Sequence, residues 1–184
     1  MNFHRQIIPD IIVIKPKIFL DNRGYFSEVF RNDLLEKELG YKINFIQENE
    51  SKSTKGVLRG LHYQVPPYSQ AKLVKVIEGR VLDVAVDMRK SSPSFGKYAS
   101  VELSDENKNQ IFIPHGFAHG FLVLSSFAIL TYKVDNYYSP EHDKGVLYSD
   151  KNLAINWTLS LEDLILSEKD KAQPFLSDAV TFDK

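Results

Sequence analysis

From Ile43 onward the chain is a succession of short segments that favour extended structure and are separated by turn residues. Turns such as Glu78-Gly79-Arg80 and Ser92-Pro93-Ser94 mark their ends. Short strands at such regular spacing are typical of an all-β sandwich or barrel. No fixed-period repeat and no linker interrupts the pattern, so we expect a single domain over residues 1–184. The predicted strands cover residues 43–49, 57–64, 72–77, 81–88, 98–103, 110–113, 119–124 and 128–134.

One helix is predicted before these strands and weaker elements are predicted elsewhere. Residues 33–39 favour a short helix, with Asn32 as its N-cap and Gly40 ending it. The remaining predicted elements are extended segments over 11–14 and 25–30, a turn at Asp21-Asn22-Arg23-Gly24, and a helical turn or two within 161–171.

Composition excludes several classes of function. Of the 184 residues, 43% are hydrophobic and 26% are charged, as in an ordinary soluble globular protein. The net charge of −1 gives no electrostatic basis for binding nucleic acid or an anionic membrane. The absence of cysteine excludes disulfides, thiolate catalysis and zinc–thiolate sites. No apolar run is long enough to span a bilayer, and no signal peptide is evident, so we expect a cytoplasmic protein.

The stretch Gly56-Val57-Leu58-Arg59-Gly60-Leu61-His62-Tyr63-Gln64 is the first candidate for a functional site. It places an imidazole, a guanidinium suited to phosphate, and a glycine that permits close approach within a buried strand. The alternative is a histidine that only completes the hydrogen bonding of the sheet. In a regular strand Arg59 and His62 would face opposite sides. If both serve one pocket, we expect a bulge between them, or Arg59 at the pocket mouth.

Strand parity indicates which other polar residues face the interior. Asp83 shares a face with Val81 and Ala85, and His119 shares a face with apolar neighbours on its own strand. Tyr132 likewise lies among apolar residues of the 128–134 strand. Both His119 and Tyr132 are therefore expected in the barrel interior, although a tyrosine at such a position is also compatible with simple core packing.

Several ordered motifs together carry a family resemblance. They are Asp21-x-Arg23-Gly24-x-Phe26, Gln47-x-Asn49-x-Ser51, the 56–64 stretch, Gln70-Ala71-Lys72-Leu73-Val74, Asp83-Val84-Ala85-Val86-Asp87-x-Arg89, Ile113-Pro114-x-Gly116-Phe117-Ala118-His119-Gly120-Phe121, Tyr132-Lys133 and Leu166-Ser167-x-Lys169-Asp170. With these motifs the sequence resembles the dTDP-4-dehydrorhamnose 3,5-epimerase family over roughly residues 11–174. This resemblance implies an all-β, cupin-type double-stranded β-helix, a jelly-roll barrel with a few short helices. It also implies a homodimer and a step in deoxysugar nucleotide biosynthesis.

The resemblance implies a role for each candidate residue. His62 would be the catalytic base, Tyr132 the acid on the opposite face of the sugar, and Asp170 the carboxylate that orients the imidazole. Lys72 is the candidate for holding the enolate oxygen, with a lysine at a strand edge as the alternative. The substrate-binding candidates are Arg59 and Lys169 for pyrophosphate, Gln47 and Asn49 for the base or ribose, His119 and Tyr138 beside the sugar, Asp143 where the family has glutamate, and Arg23 and Glu28 from the partner subunit.

The implied substrate is a dTDP-linked 4-keto-6-deoxy sugar, dTDP-4-dehydro-6-deoxy-D-glucose, epimerised at C3 and C5. We expect no metal, because His62 is not followed by a second histidine, and no cofactor, because no dinucleotide-binding glycine loop is present. Three alternatives stay open at this point. They are an epimerase acting at C3 alone, a non-catalytic sugar-nucleotide-binding cupin, and a metal-dependent oxygenase.

Overall fold

The computed structural model describes residues 1–183. Two antiparallel sheets face each other, and a separate two-stranded hairpin projects from them. The strands are β1 Asn2–Arg5, β2 Ile12–Lys15, β3 Ile18–Asp21, β4 Gly24–Ser27, β5 Gln47–Thr54, β6 Leu58–Gln64, β7 Lys72–Glu78, β8 Arg80–Asp87, β9 Tyr98–Ser104, β10 Gln110–Ile113, β11 Phe117–Val123, β12 Phe127–Val134 and β13 Asp143–Gly145.

The sheet order brings strands that are distant in sequence side by side. One sheet has the order β1-β2-β10-β7-β12-β5 and the other has the order β13-β6-β11-β8-β9, while β3 and β4 form the hairpin. The fold class predicted from the sequence, an all-β jelly-roll barrel of cupin type with a few short helices, is confirmed. No helix among residues 1–183 is long and apolar enough to cross a membrane.

Three apolar clusters account for the layers of the fold. The first lies between the two sheets and contains Val81, Ala85 and Leu130. A second covers the outer face of the five-stranded sheet, where Val84 and Val86 meet the C-terminal loops. A third lies beneath the helix α1, Asn32–Leu39. The alternation of residues 81–88 between the first two clusters follows the predicted strand parity.

The helix begins differently from the prediction. Arg31, in an extended conformation, is the N-cap and makes no side-chain capping hydrogen bond. Asn32 is the first helical residue, and its side-chain amide donates to Glu36 one turn later, at 3.0 Å, so the predicted cap is wrong. Gly40 ends the helix in the left-handed conformation, as predicted, with a φ of 78°.

Two predicted strands are displaced or shortened, and others were not predicted. The strand predicted over 43–49 lies further along the chain, as β5 over residues 47–54. Ile43 instead packs in the cluster beneath the helix, while the polar residues 47–54 pair along the whole of β12. The 25–30 strand ends at Ser27. The segment 161–171 splits into a 3-10 turn, Leu161–Asp163, and a short helix α2, Glu168–Lys171. The unpredicted strands are β1, β3 and β13.

Candidate active site

A cavity of about 550 Å³ lies between the sheets, within the usual range for a small-molecule site. It is bordered by β5, β6, β7, β11, β12 and β13 and by α2. The structure brings nine of the thirteen candidate residues to its wall. They are Arg59, His62, Lys72, His119, Tyr132, Tyr138, Asp143, Lys169 and Asp170.

A bulge in β6 lets Arg59 and His62 face the same cavity. His62 lies opposite His119 on β11, whereas Arg59 lies opposite Phe121, so β6 has one residue more than its partner over this span. Gly60 occupies the bulge with a φ of 129°. A Cβ atom there would lie 2.5 Å from the Cα of Gly120. Of the two arrangements that the parity conflict allowed, a bulge or Arg59 at the pocket mouth, the bulge is present, and it depends on glycine.

His62 is paired with a buried carboxylate. Its Nε2 lies 2.5 Å from Oδ1 of Asp170, which is 3% exposed. Ser167 caps α2 by accepting from the Asp170 backbone amide. Burial alone would raise the pKa of Asp170. Its hydrogen bond to His62, the imidazole charge, and hydrogen bonds from Ser167 and the Gly60 amide hold it below the usual value. An ionised carboxylate in this position fixes the tautomer of the imidazole and stabilises its protonated form.

Lys72 enters the cavity from β7 and is only 8% exposed. Its Nζ donates to the backbone carbonyl of His62 at 3.3 Å. Burial lowers the pKa of Lys72 to about 8, although the charges of Asp143 and Asp83 act in the opposite direction. The lysine is therefore a cation in a poorly solvated place, at the backbone carbonyl of the residue that the family resemblance implies as the base.

Tyr132 reaches the same cavity from β12 in the opposite sheet. Burial raises the pKa of its phenol, and the nearby Asn49 and Arg59 offset only part of this effect. The hydroxyl therefore keeps its proton at neutral pH. A protonated phenol on one sheet and an imidazole–carboxylate pair on the other provide a proton donor and a proton acceptor in one cavity.

The mouth of the cavity carries a second set of polar contacts. Asp143 Oδ2 accepts from Lys169 Nζ at 2.5 Å and from the Tyr138 hydroxyl at 3.1 Å. The hydrogen bond to Asp143 raises the pKa of Lys169. Gln47 accepts from the Tyr138 backbone amide at 3.2 Å and donates to Asn49 at 2.9 Å. Gln47 contacts Tyr138, and Asn49 contacts Tyr132. Both residues therefore lie next to the cavity but are not part of its wall.

Arg23 and Glu28 lie outside this cavity. Arg23 is at the tip of the β3–β4 hairpin, where its side chain is 85% exposed and pairs with Asp21 at 2.7 Å. Glu28 follows the hairpin and lies 3.7 Å from Arg31. In the single chain these two residues are therefore not brought together with the other eleven.

Sequence reasoning assigned no role to Asp83. This residue on β8 is completely buried, and its Oδ2 lies 2.8 Å from Nε2 of His119. The signal was present, because an aspartate that alternates with Val81 and Ala85 on a core-facing strand must have a partner. Ser53 was also missed, and its hydroxyl accepts from Arg59 Nε at 3.0 Å. No group of three or more histidine or carboxylate side chains within residues 1–183 is arranged to hold a metal ion.

Comparison with known proteins identifies the family. The family model described as dTDP-4-dehydrorhamnose 3,5-epimerase matches residues 5–178. The chain belongs to this family. Its sequence is 53% identical to the dTDP-4-dehydrorhamnose 3,5-epimerase of Shigella flexneri, over 92% of this chain and 93% of that protein. The family membership and the enzyme class predicted from the motifs are therefore confirmed.

Solved structures of the epimerase family share the whole fold. The dTDP-4-dehydrorhamnose 3,5-epimerase of Elizabethkingia anophelis superposes with a TM-score of 0.93 at 47% identity, over 97% of both chains. The dTDP-6-deoxy-D-glucose-3,5-epimerase of Legionella pneumophila, solved in complex with dTDP-4-keto-L-rhamnose, gives a TM-score of 0.92 at 48% identity. That comparison covers 96% of this chain and 93% of the Legionella chain.

Proposed function

We propose that the chain epimerises dTDP-4-dehydro-6-deoxy-D-glucose at C3 and C5 to dTDP-4-dehydro-L-rhamnose, a step in dTDP-L-rhamnose biosynthesis. The observation that carries the proposal is the His62–Asp170 pair, at 2.5 Å, in one cavity with Lys72 and Tyr132. The Legionella relative binds dTDP-4-keto-L-rhamnose, which supports the same class of ligand here.

His62 is the base in this proposal. The hydrogens on C3 and C5 are acidic because each carbon is next to the C4 carbonyl. Neutral imidazole takes one of these protons, and the electron pair of the broken C–H bond moves into an enolate. The imidazolium that forms is stabilised by Asp170, whose carboxylate stays ionised because its pKa is lowered by His62 and by its other hydrogen-bond donors.

Lys72 and Tyr132 complete the inversion. The ammonium of Lys72 stabilises the negative charge that develops on the C4 oxygen, and it does so strongly because the cavity is poorly solvated. Tyr132 then gives its proton to the carbon from the face opposite His62, which inverts the centre and restores the ketone. Burial keeps the phenol protonated until that step. The imidazolium loses its proton to water and the phenolate regains one from water before the second carbon reacts. The ketone is already present in the substrate, so the reaction needs no redox cofactor.

The nucleotide is held at the mouth of the cavity. Arg59 and Lys169 bind the pyrophosphate, while Gln47 and Asn49 bind the base or the ribose. His119 hydrogen-bonds the sugar, and Tyr138 borders it. Asp143, by pairing with Lys169 and Tyr138, sets the position of both before substrate enters. The proposed assembly is a cytoplasmic homodimer of single-domain subunits, in which Arg23 and Glu28 reach the nucleotide of the partner subunit.

Isotope exchange tests the reaction directly. The protein is incubated with dTDP-4-dehydro-6-deoxy-D-glucose in deuterium oxide, and NMR follows the label and the configuration at each carbon. We expect deuterium at both C3 and C5, with both centres inverted. Label and inversion confined to C3 would instead identify an epimerase acting at one carbon. Tight nucleotide binding without any label would identify a binding protein and overturn the proposal.

A further inference from the structure

Asp83 is a buried charge that the proposed reaction steps do not use. It lies near the middle of β8, is 0% exposed, and points toward the core between the sheets together with Val81 and Ala85. Burying a carboxylate among apolar side chains is costly unless nearby groups balance its charge. Asp83, beside the active-site cavity, therefore needs a nearby hydrogen-bond donor or positively charged group.

One oxygen of Asp83 has a partner and the other has none. Oδ2 lies 2.8 Å from Nε2 of His119, a residue that is itself only 6% exposed. Oδ1 is buried without a hydrogen-bond partner in the part of the chain that the structure describes. The carboxylate thus holds a proton on Nε2 of the imidazole and fixes the ring, while its second oxygen leaves negative charge inside the barrel.

Lys72 is the cation that this charge can balance. Within residues 1–183 it forms no salt bridge, and its Nζ is bound only by the backbone carbonyl of His62. The charges that favour its protonated form are those of Asp143 and Asp83. Asp143 is already shared between Lys169 and Tyr138. Asp143 has the larger effect of the two, but one oxygen of Asp83 has no hydrogen-bond partner among residues 1–183, so its charge is not shared in the same way.

We propose that Asp83 is a positioning residue of the active site, whose buried carboxylate holds the imidazole of His119 and keeps the ammonium of Lys72 charged. The assignment rests on the proposed function, in which Lys72 must be protonated to stabilise the enolate oxygen. Without the negative charge of Asp83, the pKa of Lys72 would fall further below about 8, and a smaller fraction of the lysine would be charged at neutral pH.

Other charged groups also face Lys72 from the surrounding elements, and they remain in place when Asp83 is changed. Glu50 on β5, Asp143 on β13 and Asp170 on α2 are acidic, whereas Arg59 on β6 and Lys169 on α2 are basic. The titratable groups that complete the cavity wall are His62, Tyr63, His119, Tyr132 and Tyr138. A difference between the wild type and an Asp83 variant therefore reports the charge of Asp83, which acts on both Lys72 and His119.

The first test is the pH dependence of kcat for Asp83→Asn. The amide keeps the size of the side chain and can still accept from His119, but it carries no charge. Activity that needs protonated Lys72 falls as pH rises through its pKa of about 8, so a lower pKa moves this fall to lower pH. We expect the alkaline limb to move down by about one pH unit, which makes the loss of kcat at pH 8 about fivefold larger than at pH 6.

Asp87→Asn is the matched control for this profile. Asp87 lies on the same strand and is equally buried, but it binds Arg89, Ser92 and Ser94 outside the cavity. We expect Asp87→Asn to lower the stability without moving the alkaline limb. An unchanged limb in Asp83→Asn, or an equal shift in both variants, would overturn the role of Asp83.

The second test measures stability and needs no substrate. Lys72→Met, Asp83→Asn and the double variant are unfolded by urea at pH 7. We expect Lys72→Met to be destabilised, because it leaves Asp83 without a balancing charge, and the double variant to regain part of the loss. Additive effects would sink the link between the two residues. If the effects of the two substitutions are coupled but the wild type shows no epimerase activity, the interaction between Asp83 and Lys72 stands and the proposed function is rejected instead.

Discussion

At the scale of single residues, His62 and Tyr132 act at opposite ends of one proton transfer, so their loss should leave different isotopic signatures. His62→Ala removes the base. We expect the rate of deuterium uptake at both carbons to decrease by a factor near the upper end of the ~10²–10⁴-fold range of general acid–base catalysis. Tyr132→Phe keeps the base, so exchange should persist with little inversion. NMR of the sugar in deuterium oxide measures both quantities.

A matched control separates this chemistry from folding. His115 forms an imidazole–carboxylate pair with Asp135 at 2.8 Å, but its side chain is 52% exposed and lies outside the cavity wall. His115→Ala should leave exchange and inversion at the wild-type rate. Wild-type exchange in His62→Ala would place the base elsewhere and remove the assignment of Asp170 along with it.

At the scale of elements, the bulge in β6 decides whether Arg59 and His62 share a cavity. Gly60→Ala places a Cβ 2.5 Å from the Cα of Gly120 on β11. Because the atom it meets belongs to the backbone, no side-chain rotation can relieve the contact. We expect a loss of about 1–3 kcal/mol in the free energy of unfolding from overpacking, in addition to the cost of a non-glycine residue at a positive φ. Urea denaturation measures it.

Gly24→Ala is the control for the backbone conformation alone. Gly24 has a φ of 132°, close to the 129° of Gly60, but no atom lies within 4 Å of the position a Cβ would take. The difference between the two variants therefore reports the close approach of β6 and β11. Equal destabilisation in both would mean that the strands can separate without cost at the bulge.

Much of this architecture follows from alternation along single strands, and the rest depends on contacts that alternation cannot specify. Residues 81–88 divide between two clusters as their parity predicts. The conflict between Arg59 and His62 predicted either a bulge or Arg59 at the pocket mouth, and the bulge is present. The polar β5 is a strand because β12 offers it a full ladder, not because its own residues favour one. The pairs Asp83–His119 and His62–Asp170 join segments distant in sequence, so only a fold or a family resemblance can bring them together.

At the scale of the whole molecule, the β3–β4 hairpin exposes more apolar surface than a hairpin in water should. Phe19 is 49% exposed, Leu20 81% and Phe26 69%, and Arg23 at the tip makes no contact with the cavity of its own chain. Such a cluster marks an interaction surface. Together with the homodimer that we propose, it predicts that Arg23 acts in the site of the partner subunit.

Mixing two defective variants tests this exchange. Arg23→Ala and His62→Ala are each assayed alone below saturating substrate, then mixed, unfolded and refolded together. If Arg23 serves the partner, a mixed dimer has one site with both residues intact, contributed by the His62 of one subunit and the Arg23 of the other. Random pairing then restores wild-type composition to about a quarter of all sites, and activity rises above the mean of the two parents.

The mixing result also distinguishes the alternatives. If Arg23 acted within its own chain, every site in a mixed dimer would carry one of the two defects, and mixing would restore nothing. A control mixture of His62→Ala with Asp170→Asn should show no gain over the mean of its two parents in either case, because His62 and Asp170 are paired within one chain at 2.5 Å. Recovery of activity in that control would show that the catalytic pair itself is shared between subunits. The absence of recovery in the mixture of Arg23→Ala with His62→Ala would show that the hairpin has no role in the partner's nucleotide site.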